Sequence, residues 1–197
     1  MKLSIAGTVD CTSSEGPGER FALWVQGCSI RCASCCNPQM FAQKNPTTDV
    51  DHLAQKIIDA RNENPNIEGI TILGGEPFEQ SKALARLCKE IRMLWPGKTL
   101  PSIMVFTGHQ LKQLKQNNVH REFIELIDLL VDGPFNKNLP EYLGENRRWI
   151  GSSNQNIHFL SKRYLALKDN WPIGRNTLEL KIKNGIVSIN GFPVPNL

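Results

Sequence analysis

A chain of 197 residues with 23 Lys and Arg against 19 Asp and Glu, a formal charge of +4, is one domain of moderate size, long enough to bury a core. The basic residues are spread along the chain with no run that marks a nucleic-acid arm, and no stretch of about eighteen apolar residues can span a bilayer. The N-terminus also lacks the basic head, apolar run and small-residue cleavage site of a signal peptide, so a cytoplasmic protein that binds neither nucleic acid nor membrane is expected.

Taken in order, Leu3 to Val9 alternates weakly and reads as a short strand, and Ser13 to Gly18 is a Gly/Pro turn. Phe21 to Gln26 is a compact apolar run typical of a buried strand, and it leads into the cysteine loop that Asn37-Pro38 ends. Thr48-Asp49-Val50-Asp51 resembles a capping box with Asp in place of Glu, and Leu53, Ile57 and Ile58 follow at helical spacing, which predicts a helix from about Asp49 to Arg61. The strand Glu68–Leu73 runs into Gly74-Gly75-Glu76-Pro77, and a helix marked by Leu84, Leu87, Cys88, Ile91 and Leu94 closes at Pro96-Gly97. Ile103 to Phe106 is a buried strand ending at Thr107-Gly108. Helical stretches over Leu111–His120 and Glu122–Ile127 precede the strand Leu129–Val131, which ends at Asp132-Gly133. Arg148–Ile150 and Ile157–Leu160 are weaker strand candidates. Period-two alternation on both sides of Asn184-Gly185 predicts a β-hairpin over Thr177–Ile189. Short strands alternating with amphipathic helices argue an α/β domain with a largely parallel sheet, whose ligands gather at the carboxyl ends of the strands.

Four of the six cysteines fall within the nine residues from Cys28 to Cys36. In a chain that needs no disulfides, such clustering favours metal binding. Cys28, Cys32 and Cys35, spaced C-x3-C-x2-C, can converge from one loop on a single inorganic centre, and three ligands leave one iron of a four-iron cubane open. The rival is a structural zinc knot, which wants a fourth Cys or His at conventional spacing. Cys11 and Cys88 read as bystanders, Cys88 as a small core residue. Among the four histidines only His109, near Thr107-Gly108, is a site candidate.

The cysteine loop after one strand and Gly-Gly-Glu-Pro after another together resemble the radical S-adenosylmethionine enzymes, and among them the activating enzymes of glycyl-radical proteins such as anaerobic ribonucleotide reductase. Gly16-Pro17-Gly18-Glu19-Arg20, Val25-Gln26-Gly27-Cys28, Val105-Phe106-Thr107-Gly108, Val131-Asp132-Gly133-Pro134-Phe135 and Gly151-Ser152-Ser153-Asn154-Gln155 carry the likeness over roughly residues 5 to 160. The resemblance implies a partial (β/α) barrel with a [4Fe-4S] cluster on Cys28, Cys32 and Cys35, and S-adenosyl-L-methionine on the open iron. It implies no catalytic residue beyond these two groups. Gly74, Gly75, Glu76 and Pro77 would flank the cofactor, because Gly lets backbone approach a ligand and a carboxylate favours an ammonium. Thr107, Asp132 and Ser152 are further binding candidates, each readable equally as a cap, turn or loop residue.

Two features depart from this family: Cys36 follows the third ligand where an aromatic residue or His is common, and the tail from Ser161 has no counterpart. A core domain over 1–160 and a C-terminal extension over 161–197 with the hairpin are therefore expected. The expected reaction is hydrogen-atom abstraction from a polypeptide, most readily from glycine in a glycyl-radical enzyme, with an external one-electron donor such as flavodoxin or ferredoxin. The alternatives are a maturase acting on a precursor peptide, which the hairpin would hold by strand addition, and a non-catalytic iron–sulfur electron carrier, which leaves Gly74 to Pro77 unexplained.

Overall fold

The structure is a computed structural model that describes residues 1–183 and 186–191. In chain order its elements are β1 (Lys2–Leu3), β2 (Ile5–Thr12), β3 (Glu19–Val25), β4 (Thr48–Asp49), α1 (Val50–Glu63), β5 (Ile67–Gly74), α2 (Ser81–Leu94), β6 (Ser102–Phe106), α3 (Leu111–Gln116), α4 (Asn118–Ile124), β7 (Leu129–Asp132), β8 (Asn156–Phe159), β9 (Leu178–Lys183) and β10 (Ile186–Gly191). Six strands form the main sheet in the order β2-β3-β5-β6-β7-β8. The four central strands are parallel, as the alternation of strands and helices predicts, and the two edges are antiparallel. The six-residue turn between β2 and β3 is too short for the crossover a parallel connection requires, and between β7 and β8 the chain runs through residues 133–155 without an α-helix.

Side-chain alternation along the strands divides the interior in two. Phe21, Leu23, Ile70, Ile72, Ile103 and Val105 face the helices and pack with Leu53 and Ile57 of α1, Leu84, Cys88 and Ile91 of α2 and Phe123 of α4. Cys88 is thus a core residue, as its spacing indicates. Met104, Leu129 and Val131 belong to a second cluster with Ile150 and Tyr164. On this second side Arg20 is fully buried, donating to Thr71, Ser102 and backbone carbonyls.

Three local expectations change. The N-cap of α1 is Asp49, whose side chain accepts from Asp51 N at 3.0 Å, rather than Thr48, which pairs with Leu3 between β1 and β4. The helical stretch after Leu111 breaks at Asn117 instead of near Arg121, because the Asn117 side chain caps α4 by accepting from Val119 N at 3.0 Å. Arg148–Ile150 is not a strand: Trp149 takes a left-handed φ of 62°, and Arg148 N donates to Pro172 O instead of to a neighbouring strand.

The hairpin expected over Thr177–Ile189 is β9 and β10, a separate antiparallel pair with Ile182 opposite Val187 and Leu180 opposite Ile189; its Asn184-Gly185 turn lies outside the described residues. The pair is tied to the turn after β2, where Ser13 N donates to Glu179 at 2.8 Å and Gly191 N to Glu15 at 2.7 Å. Among the described residues no helix is long and apolar enough to cross a membrane.

Candidate functional site

The cysteine loop leaves β3 and is fastened to the loop after β5 first by backbone hydrogen bonds. Gly75 N donates to Val25 O and Glu76 N to Gly27 O, both at 2.8 Å. A Cβ on Gly75 would stand 2.2 Å from Gly27 O, so only glycine permits this approach, and Gly74 beside it has a φ of +104°. Glu79 adds a second tie by accepting from Ser29 N at 2.6 Å and from Gln43 Nε2 at 2.5 Å. Against the opposing effect of burial, those hydrogen bonds hold its carboxyl below the usual range. Within the loop, Arg31 and Ser34 occupy the left-handed region at φ 51° and 63°, one in each interval between successive cysteines of the C-x3-C-x2-C pattern.

Each of the three cysteine sulfurs receives main-chain N–H groups. Cys28 accepts from Arg31 and Ile30, Cys32 from Phe135, and Cys35 from Asn37 at 3.4 Å. Burial nevertheless pushes the Cys28 and Cys32 thiols up, and a metal's positive charge is what removes such protons. Cys36 stands beside Cys35 in the chain, and the coupling between the two thiols brings Cys35 down to about 6 and drives Cys36 up. Among the described residues no three His, Cys, Asp or Glu side chains are close enough to hold a single metal ion.

Cys28, Cys32, Cys35 and Cys36 line one cavity of about 530 Å³ with Gly74, Gly75, Glu76, Thr107 and Gly108, within the size range of small-molecule sites. Its apolar walls include Trp24, Leu73, Phe106 and Phe135. The buried Glu76 accepts from Phe78 N at 2.9 Å, Thr107 Oγ1 at 2.8 Å and Gly108 N at 3.0 Å, and so braces the loop after β5 against the loop after β6. Burial pushes its carboxyl up, and these three donors pull the other way.

The remaining predicted residues lie off the cavity wall. Pro77 starts the 3-10 turn Pro77–Gln80. Asp132 caps α3 by accepting from Leu111 N at 2.7 Å, and its other oxygen accepts from Asn156 at 3.0 Å. Ser152 is fully buried, and its hydroxyl accepts from Asn136 N. Both polar groups are spent on holding loops rather than facing a ligand. His109 contributes its carbonyl to Gly133 N and does not line the cavity.

The sequence reading passed over Glu79, Phe135 and Glu15. Glu15 lies on the cavity wall, where burial, reinforced by nearby Glu179, pushes its carboxyl up to about 7 despite the hydrogen bond from Gly191. A raised carboxyl makes the folded state hold its proton longer than the unfolded state. Stability therefore falls as pH rises from about 4.5 to about 7 and then levels, by about 3 kcal/mol in all. Glu15→Gln should remove that slope, read as the urea midpoint at pH 5 and pH 8 in both proteins; equal slopes would show that Glu15 is ionised throughout.

A parallel sheet with a three-cysteine loop at its carboxyl edge, each sulfur met by backbone N–H, suits a protein that carries one iron–sulfur cluster, and residues 14–158 match the family model described as a 4Fe-4S single cluster domain. The chain is 32% identical over 148 residues to the anaerobic ribonucleoside-triphosphate reductase-activating protein of Escherichia coli (strain K12), an alignment covering 74% of this chain and 91% of the relative. It is 27% identical over 149 residues to the protein of that name from Enterobacteria phage T4, covering 75% and 88%. To the one from Vibrio cholerae it is 30% identical over 146 residues, covering 73% and 89%. The chain belongs to the family of these reductase-activating proteins.

Proposed function

We propose that this chain is a radical S-adenosylmethionine activating enzyme that takes a hydrogen atom from a glycine of an anaerobic ribonucleotide reductase, leaving a glycyl radical there. Cys28, Cys32 and Cys35 would hold a [4Fe-4S] cluster, and S-adenosyl-L-methionine would take the open iron. Together the two groups supply one-electron cleavage of a sulfonium and abstraction of a hydrogen atom. The observation that carries this reading is the shared cavity, in which three thiols with main-chain donors face the Gly74-Gly75 backbone in a chain of this family.

The chain's own residues bind and orient. Gly74 and Gly75 keep the backbone accessible, Glu76 and Thr107 brace the two loops, and Trp24, Phe106 and Phe135 keep water from the reacting groups. The four parallel strands with helices on one face fit the core of a partial (β/α) barrel over residues 1–160, with 161–197 as the extension. An external donor such as flavodoxin or ferredoxin would reduce the cluster, in a cytoplasm that keeps thiols reduced.

The test mixes the anaerobically reconstituted chain with S-adenosyl-L-methionine, a reductant and the anaerobic ribonucleotide reductase. The expected result is a glycyl-radical signal by electron paramagnetic resonance whose splitting changes when the reductase carries carbon-13 at the glycine Cα. Cleavage of the cofactor with no radical in the reductase would overturn the proposal.

A further inference from the structure

β8 is the last strand of the main sheet, and among the described residues it pairs with β7 alone. Main-chain groups alternate in direction along an antiparallel pair, and two hydrogen bonds fix the phase of that alternation here. Val131 O accepts from Thr107 N on the β6 side, so Leu130 and Asp132 turn their main-chain groups toward β8, opposite His158 and Asn156. Leu160 N, donating to Asp128 O at 2.9 Å, keeps the same phase. Ile157 and Phe159 therefore point their N–H and C=O groups away from the sheet. Among the described residues none of these four groups has a hydrogen-bond partner.

Both residues line a second cavity of about 750 Å³, which the tail residues Lys168, Trp171 and Ile173 also line. The tail stands by this edge without pairing to it. Trp171 links the two cavities: its ring lies 5.7 Å from Phe159 and 5.6 Å from Trp149, a wall residue of the cysteine cavity.

β8 also begins where a substrate has to arrive. Gln155, the residue before it, lines the cysteine cavity, and Asn156 stands opposite Asp132 at the carboxyl end of β7. At about 3.3 Å per residue, a strand laid along β8 ends within two or three residues of that wall. Glycine offers no side chain to grip, so its selection must draw on main-chain groups beside it. An unpaired sheet edge recognises such groups by accepting a further strand.

We propose that the outer edge of β8 binds an extended segment of the reductase next to its glycine. The segment pairs with the N–H and C=O groups of Ile157 and Phe159 as a seventh strand and leads the glycine past Gln155 into the cysteine cavity. This assignment rests on the function proposed above and names the place where its polypeptide substrate is held.

The test uses the full iron-loaded chain. Hydrogen–deuterium exchange read by mass spectrometry should show two amides within residues 156–160 slowed when the anaerobic ribonucleotide reductase is added. Ile157→Pro removes one outward donor and sets a ring in the edge, at a position whose N–H the sheet does not use, so the fold should hold. It should weaken reductase binding about tenfold by calorimetry, while Ile157→Val stays within about twofold of wild type. Affinity for S-adenosyl-L-methionine, and its cleavage without the reductase, should stay within about twofold in both variants, since Ile157 does not line the cysteine cavity. Reductase binding with no slowed exchange over 156–160 overturns the proposal, and this measurement on wild type decides the matter if Ile157→Pro does not fold. An equal loss of cofactor affinity in Ile157→Pro overturns it too. So does protection that rises with the chain's own concentration and not with the reductase, which would assign the edge to a second copy. If wild type does not bind the reductase at all, the proposed function falls and this assignment with it, an outcome distinct from binding without protection.

Discussion

Cys28→Ala, Cys32→Ala and Cys35→Ala should each leave the chain without stable cluster iron after anaerobic reconstitution, whereas Cys36→Ala should retain roughly four irons per chain. The distinction follows from what reaches each sulfur. Cys28, Cys32 and Cys35 receive backbone N–H groups that stabilise an anionic sulfur from a fixed direction. The Cys36 sulfur instead receives the Asn37 side-chain amide at 3.5 Å, and its coupling to Cys35 holds it protonated. Removing it should preserve iron content and lower the cluster's reduction potential, because hydrogen bonds to cluster sulfurs favour the reduced form. Iron analysis together with a redox titration checks both halves. Loss of iron in Cys36→Ala with retention in Cys35→Ala would reverse the ligand assignment.

The second large effect is expected far from the thiols. Arg20→Met should destabilise the fold by about 3–4 kcal/mol and lower the melting temperature by roughly 10 °C. The guanidinium is fully buried and has no carboxylate among its hydrogen-bond partners. Its donors instead serve Thr71 Oγ1 at 2.6 Å, Ser102 Oγ at 2.8 Å, Ile70 O at 2.5 Å, Pro17 O at 3.1 Å and Tyr164 OH at 3.3 Å. Methionine fills the space but leaves these acceptors buried and without donors, unlike the paired replacement of a salt bridge, which removes both partners together. Arg20→Lys should recover little, since one ammonium cannot reach partners on the Pro17 turn, β5, β6 and Tyr164. Thermal melts of the iron-loaded proteins test this, and a shift under about 2 °C in Arg20→Met would mean the acceptors find other donors.

Elements whose signal is local were legible in the residues. The β5 and β6 runs, the helix around Cys88 and the alternation of β9 and β10 each satisfy a periodicity that burial of one or both faces imposes. The spacing of Cys28, Cys32 and Cys35 was equally plain, as was the Gly74-Gly75 backbone, which the structure uses for a close approach to Gly27. Less legible were Asp132 and Ser152. A strand-end carboxylate or a loop hydroxyl reads alike whether it meets a ligand or caps a neighbouring helix or loop, and here the partners, Leu111 N and Asn136 N, come from other segments. Asn117 as the helix break and Trp149 in a left-handed turn escaped for a different reason, competing local preferences of nearly equal strength.

By itself, the sequence determined the class of chemistry: three cysteines at cluster spacing on one loop, a glycine pair after a strand, and the order of strands and helices, all set within a few residues where covalent reach and backbone preference decide. Only the tertiary structure decided which faces of the strands meet the helices and which line the cavity, and that Arg20 joins four segments by contacts up to 144 residues apart. The same holds for the hairpin. Its pairing is written in alternation, but its place on the cavity wall depends on hydrogen bonds between residues 12–15 and 179–191, which no local pattern encodes because the chain must close a long loop before any of them can form.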